Sequence, residues 1–272
     1  MIGFLSVIFP ENLIYFKQFL ISLNKQSYKD FSLILFNDNC NLETLKNYLI
    51  NFELDYKIEN VNSLTPVKIR ERMFKYVIKN DIDIAVFGDT DDYFGKNRIM
   101  ICVEKLKNHD IVVNDLTLFK DELIIEENYL SKRFSNNSVI TLEDVLDKNI
   151  FGLSNTAIKS SIIDEINFEE NLIAVDWFLF SEFLLKKATA LFTSDSKTYY
   201  RQHPENTVGL GNQDYKAISS SIRVKKIHYE MMKKKDTKYK LLLNEIIELE
   251  KKTTNFVFPS NNKNKPHLLW WE

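Results

Sequence analysis

The residues with the clearest chemical potential are Asp89-Thr90-Asp91-Asp92, which follow an apolar stretch at residues 82–87. Carboxylates crowded at the end of a buried strand repel one another, and burial raises their pKa unless a cation compensates. Hard divalent ions such as Mg2+ and Mn2+ take oxygen ligands, and often use one or two carboxylates together with substrate phosphates. An Asp-x-Asp in this position therefore suits a metal–diphosphate site. The competing reading is a solvated turn that caps the next helix. A second acidic residue, Asp38, lies in Asn37-Asp38-Asn39, directly after the apolar residues 31–36.

The surrounding pattern indicates how such residues are positioned. Residues 4–9 (FLSVIF) and 31–36 (FSLILF) are short apolar runs ended by Pro10 and by the Asn-Asp-Asn cluster, as expected of buried strands. Residues 54–58 and 82–87 predict two more. Between them, Leu13, Phe16, Leu20 and Leu23 recur at helical spacing, residues 41–51 look helical, and Thr65-Pro66 has the chemistry of a helix start. This alternation predicts an α/β fold: a Rossmann-like, mostly parallel sheet flanked by helices. Ligands in such sheets bind beyond the carboxyl ends of the strands, where both acidic groups fall. Further on, residues 116–119 and 123–126 predict a hairpin, 141–148 a short helix, 175–187 a helix, and 190–193 and 198–202 two late strands. Residues 214–252 predict a Lys-rich helical stretch broken near Asp236-Thr237.

The 272 residues carry 36 Lys+Arg against 38 Asp+Glu. That balance argues against a dedicated nucleic-acid binder. Two cysteines, Cys40 and Cys102, are too few for a disulfide scaffold and predict reduced thiols. Residues 1–10 read as a first strand rather than a signal peptide, and no apolar run approaches a membrane span. A cytoplasmic location is expected, with contact at the inner membrane face as an option. That option comes from residues 222–240, where eight basic residues accompany only Glu230 and Asp236. A basic helix can lie on an anionic membrane, although a solvated helix face is the more common outcome.

Three segments together resemble the family 2 glycosyltransferases of the GT-A fold. FLSVIFPENLIYFKQFLISLNKQSYKDFSLILFNDN is similar to that family's first strand, helix and second strand. FGDTDD resembles its Asp-x-Asp-Asp segment, and TYYRQHPENTVG its Arg-x-His-x-x-Asn stretch. The resemblance covers roughly residues 4–210. It implies a GT-A domain at 1–210, with a nucleotide-binding half at 1–95 and an acceptor-binding half at 96–210, followed by a helical extension and tail at 211–272.

The resemblance also implies roles. Asp38 would receive the nucleotide base. Arg70 and Asp89 would lie near the donor nucleotide and its ribose, Asp91 on a Mn2+ or Mg2+ ion, with Asp92 beside it. Asp176 would be the general base, and His203 would approach the diphosphate. The implied activity is inverting transfer of a sugar from a nucleotide-diphosphate donor, a UDP-sugar, to a glycan or lipid-linked acceptor. The implied setting is surface polysaccharide or glycoconjugate biosynthesis.

The chain departs from the family pattern at Asn37-Asp38-Asn39-Cys40 (usually Asp-Asp-Gly-Ser), at Glu71 (often Asn) and at Val175 (usually Glu). Those departures keep open a non-catalytic glycan- or partner-binding module. A sugar-phosphate nucleotidyltransferase ranks lower, because it would need a Gly-rich loop where Pro10-Glu11-Asn12 stands. Asp176 retains a second reading as a helix cap, and Trp177 and Phe180 read as core.

Overall fold

The computed structural model describes residues 1–62, 64–202 and 215–253. In chain order the elements are β1 (Ile2–Ile8), α1 (Leu13–Asn24), β2 (Ser32–Asn37), α2 (Leu42–Leu49), β3 (Asp55–Asn60), α3 (Pro66–Lys79), β4 (Ile84–Phe87), β5 (Tyr93–Phe94), α4 (Arg98–Lys105), β6 (Ile111–Lys120), β7 (Leu123–Glu126), β8 (Val139–Ile140), β9 (Thr156–Lys159), α5 (Val175–Leu185), β10 (Ala190–Arg201), α6 (Tyr215–Met232) and α7 (Lys238–Thr253). The strands form one sheet in the order β3-β2-β1-β4-β9-β6-β10-β5, with β7 on β6 and β8 on β10. β3, β2, β1 and β4 are mutually parallel, as are β6 and β10, while β9 runs antiparallel between β4 and β6.

Both faces of the sheet are covered, so the central strands bury alternate residues on each side. In β1, Leu5 and Val7 join one core while Phe4 and Ile8 join the other; β2 divides Ile34 and Phe36 from Leu33 and Leu35 in the same way. α1, α2 and α4 cover the Phe4 side and α3 and α5 the Leu5 side. α6 and α7 are seated on the α5 side through Tyr229, Met232, Tyr239 and Leu243. The His228 ring stacks on Trp177 with centroids 3.8 Å apart.

The predicted alternation over the first half holds, including Thr65 as the cap and Pro66 in the first turn of α3. Some expectations need correction. The helix expected at 141–148 is a single 3-10 turn, Leu142–Val145, opened by a Thr141–Asp144 capping box. The two late strands are one continuous strand, β10, with a register shift between Thr193 and Lys197. β5, α4, β8 and β9 had no sequence counterpart. The Lys-rich stretch is two helices, broken where expected. Among the described residues, four of its eight basic residues are paired with acids: Lys226 with Glu250, Lys233 with Glu230, Lys235 with Glu182 and Lys238 with Glu143. No helix among the described residues is long and apolar enough to cross a membrane.

Candidate active site

Parallel pairing brings the carboxyl ends of β1, β2 and β4 to one edge of the sheet. The Asp38 N–H donates to the Ile8 carbonyl (2.8 Å), and the Gly88 N–H to the Leu5 carbonyl (3.2 Å). Glycine is required at 88, because a Cβ there would come within 2.5 Å of the Phe4 and Phe94 rings. The turn that follows is pinned to β1 by the Thr90 hydroxyl, which donates to the Val7 carbonyl (2.9 Å). The predicted acidic clusters therefore share one edge.

The Asp38 turn explains two departures from the family pattern. Asn39 stands at the position of the usual glycine and has φ 69°, a left-handed conformation that asparagine tolerates better than most residues. Asn37 replaces an acid with an amide that pins the turn. Its Nδ2 donates to the Cys40 carbonyl (3.0 Å) and to Asn60 Oδ1 (2.9 Å), and its Oδ1 accepts from the Cys40 N–H (2.9 Å). Asp38 remains partly accessible, its Oδ1 accepting from the Asn39 amide at 2.8 Å.

Arg70, in the second turn of α3, reaches Asp89 with Nη2 3.1 Å from Oδ1. Burial pushes Asp89 up, and the Arg70 charge works against that rise. Asp92 is almost fully buried. It accepts from the Ser154 hydroxyl, and from the Arg201 N–H at 2.8 Å. Burial, then the charges of Asp91 and Asp89, hold Asp92 well above the usual carboxylate range.

Asp176 is partly accessible, in the first turn of α5, and its Oδ1 accepts from the Trp177 N–H at 2.8 Å. Burial pushes it up to about 6, against the lowering effects of that N–H, the Arg70 charge and the Asn149 side chain. The Arg70 charge thus acts on both Asp89, which it contacts, and Asp176. A carboxyl near 6 can accept a proton near neutral pH. The cap reading of Asp176 is corrected: Ala174 is the N-cap of α5 and carries no side-chain cap bond, while Asp176 lies inside the first turn and accepts there from the N–H of its neighbour. His203 lies outside the described residues.

Several members of the site were not anticipated. Tyr200, on β10, packs against the core, and its phenol is raised well above the usual range by burial, then by the charges of Asp92, Asp89, Asp91 and Asp176. Arg201 falls inside the TYYRQHPENTVG stretch but was given no role. Ser154 carries no sequence signal. Glu71, noted only as a departure, is a buried brace. It accepts from Lys68 (2.7 Å), from Lys75 (2.5 Å) and from the Phe168 N–H (3.0 Å), tying α3 to the segment before α5.

The fit to a divalent cation rests on the donor set. Among the described residues no group of three or more His, Cys, Asp or Glu side chains is arranged around a metal position, so there is no all-protein cage. The turn instead offers hard oxygen donors whose mutual repulsion a cation would relieve. That suits an ion completed by ligand phosphates.

No family model matches the chain, and no curated protein matches it by sequence. Solved structures do match in fold. S. aureus TarS 1–349 in complex with UDP-GlcNAc superposes with a TM-score of 0.66 at 17% identity, over 91% of this chain and 72% of that one. The mannosyltransferase PcManGT from Pyrobaculum calidifontis, in complex with GDP-Man and Mn2+, gives 0.60 at 11% identity, over 85% and 63%. GalNAc-T7 with UDP, GalNAc and Mn2+ gives 0.57 at 12%, over 82% and 50%. This chain spans 66% of the chain in another structure of TarS 1–349 and 40% of the S. aureus TarS chain. At these identities the likeness is one of architecture: the chain has the GT-A-like α/β fold expected from its sequence.

Proposed function

We propose that the protein is a metal-dependent, inverting glycosyltransferase of the family 2 type. It would move a sugar from a nucleotide-diphosphate donor, a UDP-sugar, to a hydroxyl of a glycan or lipid-linked acceptor in surface polysaccharide or glycoconjugate assembly. What supports this reading is the Arg70–Asp89 pair at the carboxyl end of β4 in a GT-A-like sheet, with the Arg70 charge also acting on Asp176. The nucleotide sugars named with the TarS and PcManGT structures support the donor class.

In this reading Asp176 takes the proton from the acceptor hydroxyl as its oxygen attacks the anomeric carbon. Arg70, oriented by Asp89, supplies positive charge toward the donor. Asp38 accepts the ring N–H of uracil. Asp91 would hold a Mn2+ or Mg2+ ion together with the donor phosphates, and His203 would contribute a further donor. The bound ion supplies charge neutralisation at the leaving diphosphate. Residues 1–210 form the transferase unit and 211–272 its extension. Within that extension, the basic stretch 222–240 is the candidate for contact with a lipid-linked acceptor's membrane.

The test is a screen of nucleotide sugars for thermal stabilisation with and without Mn2+, because a ligand that binds only the native state raises its apparent stability. A Mn2+-dependent shift with one UDP-sugar, followed by its slow hydrolysis, is the expected result. Stabilisation by a glycan without donor binding or hydrolysis would favour the binding-module alternative.

A further inference from the structure

Arg201, at the end of β10, holds the acidic turn from the opposite side to Arg70. It is buried and engages consecutive residues of the turn through different parts of itself. Its Nε donates to the Asp91 carbonyl (2.7 Å), and its backbone N–H donates to Asp92 Oδ1 (2.8 Å). Nη2 donates to Gln18 Oε1 on α1. The guanidinium lies 4.3 Å from the centroid of Tyr15 and 4.4 Å from that of Phe119. Both are within the range at which a cation is attracted to a ring face. One side chain thus links α1, β6, β10 and the turn.

A planar guanidinium held by two rings and a side-chain amide has little freedom, so the Asp91 peptide it grips is fixed as well. Divalent-ion sites with few protein ligands depend on such support, because residues behind the ligands orient them.

We propose that Arg201 is a positioning residue that sets the geometry of the Asp89–Asp92 turn for a divalent cation. The inference rests on the nucleotide-sugar reading above and assigns a function to a residue that reading leaves unused. Lysine retains the charge but cannot grip a carbonyl with Nε while its other nitrogen reaches Gln18. The effect therefore depends on the guanidinium's shape.

The experiment is direct Mn2+ titration, read by electron paramagnetic resonance with UDP present, on wild type, Arg201→Lys, Arg201→Met and Gln18→Ala. Melting temperature and metal-free UDP affinity are measured alongside. Both Arg201 variants are expected to weaken Mn2+ binding about tenfold or more with metal-free UDP affinity nearly unchanged. Gln18→Ala, at an exposed helix position, should weaken it by a smaller factor and keeps the test decisive if an Arg201 variant does not fold. Mn2+ affinity within twofold of wild type in all folded variants overturns the positioning role. Wild-type affinity in Arg201→Lys alone overturns it in favour of simple charge. Absence of Mn2+ binding by the wild-type protein overturns the metal-dependent reading itself, and this proposal with it.

Discussion

Asp176 is raised to about 6 mainly by burial, and the sign of that shift fixes a pH dependence. As a base it must be ionised, so the transfer rate should fall as pH drops through about 6 and level off above it. A profile flat from pH 5 to 8 would remove Asp176 from the chemical step. Asp176→Asn keeps the shape and an oxygen for the Trp177 N–H. It should slow single-turnover transfer by about 10²–10⁴-fold, the usual worth of a general base, while donor affinity stays near wild type. Turnover within a few-fold of wild type would remove the general-base role. Asp91→Asn should abolish Mn2+-dependent donor binding with the fold intact, checked by melting temperature and calorimetry. Asp38→Ala should weaken uridine-nucleotide binding yet leave Mn2+ affinity alone. These residues were legible in the sequence because each stands at the end of an apolar run or opens a helix. Ser154 and Tyr200 were not, since a serine in a loop and a tyrosine in a strand look the same wherever they point.

At the level of elements, the most informative device is Glu71, which joins α3 to the segment preceding α5. Burial would push its carboxyl up, but hydrogen bonds from Lys68, Lys75 and the Phe168 N–H outweigh it and bring it down to about 2. A depressed carboxylate stabilises the fold above its unfolded pKa near 4.5, and that contribution is lost as pH falls through about 2. Glu71→Ala should therefore cost about 1–3 kcal/mol at neutral pH, because the Phe168 N–H is left without its acceptor. The difference from wild type should shrink toward pH 2, as urea midpoints would show; a gap that persists there would point to lost packing instead. The same variant should lower turnover more than donor affinity if Arg70 and Asp176 are registered through this brace. The elements missed or read short in the sequence share a cause. The strand expected at 116–119 is the second half of β6, whose first half is cut off by the polar pair Asn114-Asp115. Both are fully buried, Asn114 accepting from Arg98 (2.8 Å) and Asp115 from the Leu130 N–H (2.8 Å). α4 places the fully buried Arg98 on its core face and so breaks its own apolar stripe. Polar groups satisfied inside the core erase the periodicity on which sequence reading depends.

Across the whole molecule, the two-sided sheet was legible because its central strands are apolar on both faces. What the sequence did not reveal is that the C-terminal helices are built into the core beside the site. His228 on α6 is buried and stacked on Trp177, the residue after Asp176, and neither of its ring nitrogens has a hydrogen-bond partner among the described residues. Burial lowers its pKa to about 3. Folded, it stays neutral where the unfolded chain, with a histidine near 6.5, takes up a proton. Below pH 6.5 the unfolded state therefore binds more protons, and stability falls with falling pH until about pH 3. This one group can contribute up to about 1.4 kcal/mol per pH unit over that window. His228→Phe keeps an aromatic ring against Trp177 and removes both the proton uptake and two unpaired buried nitrogens. The variant should match or exceed wild-type stability at pH 7.5 and outlast it increasingly at pH 6 and pH 5, measured by urea midpoints with α6 and α7 intact. Because Trp177 stacks on His228, its fluorescence, read with Trp270 and Trp271 replaced by Phe in both proteins, should report the acid-induced loss in wild type and its delay in the variant. Parallel acid dependence of the two proteins would show that another buried group governs the docking of these helices.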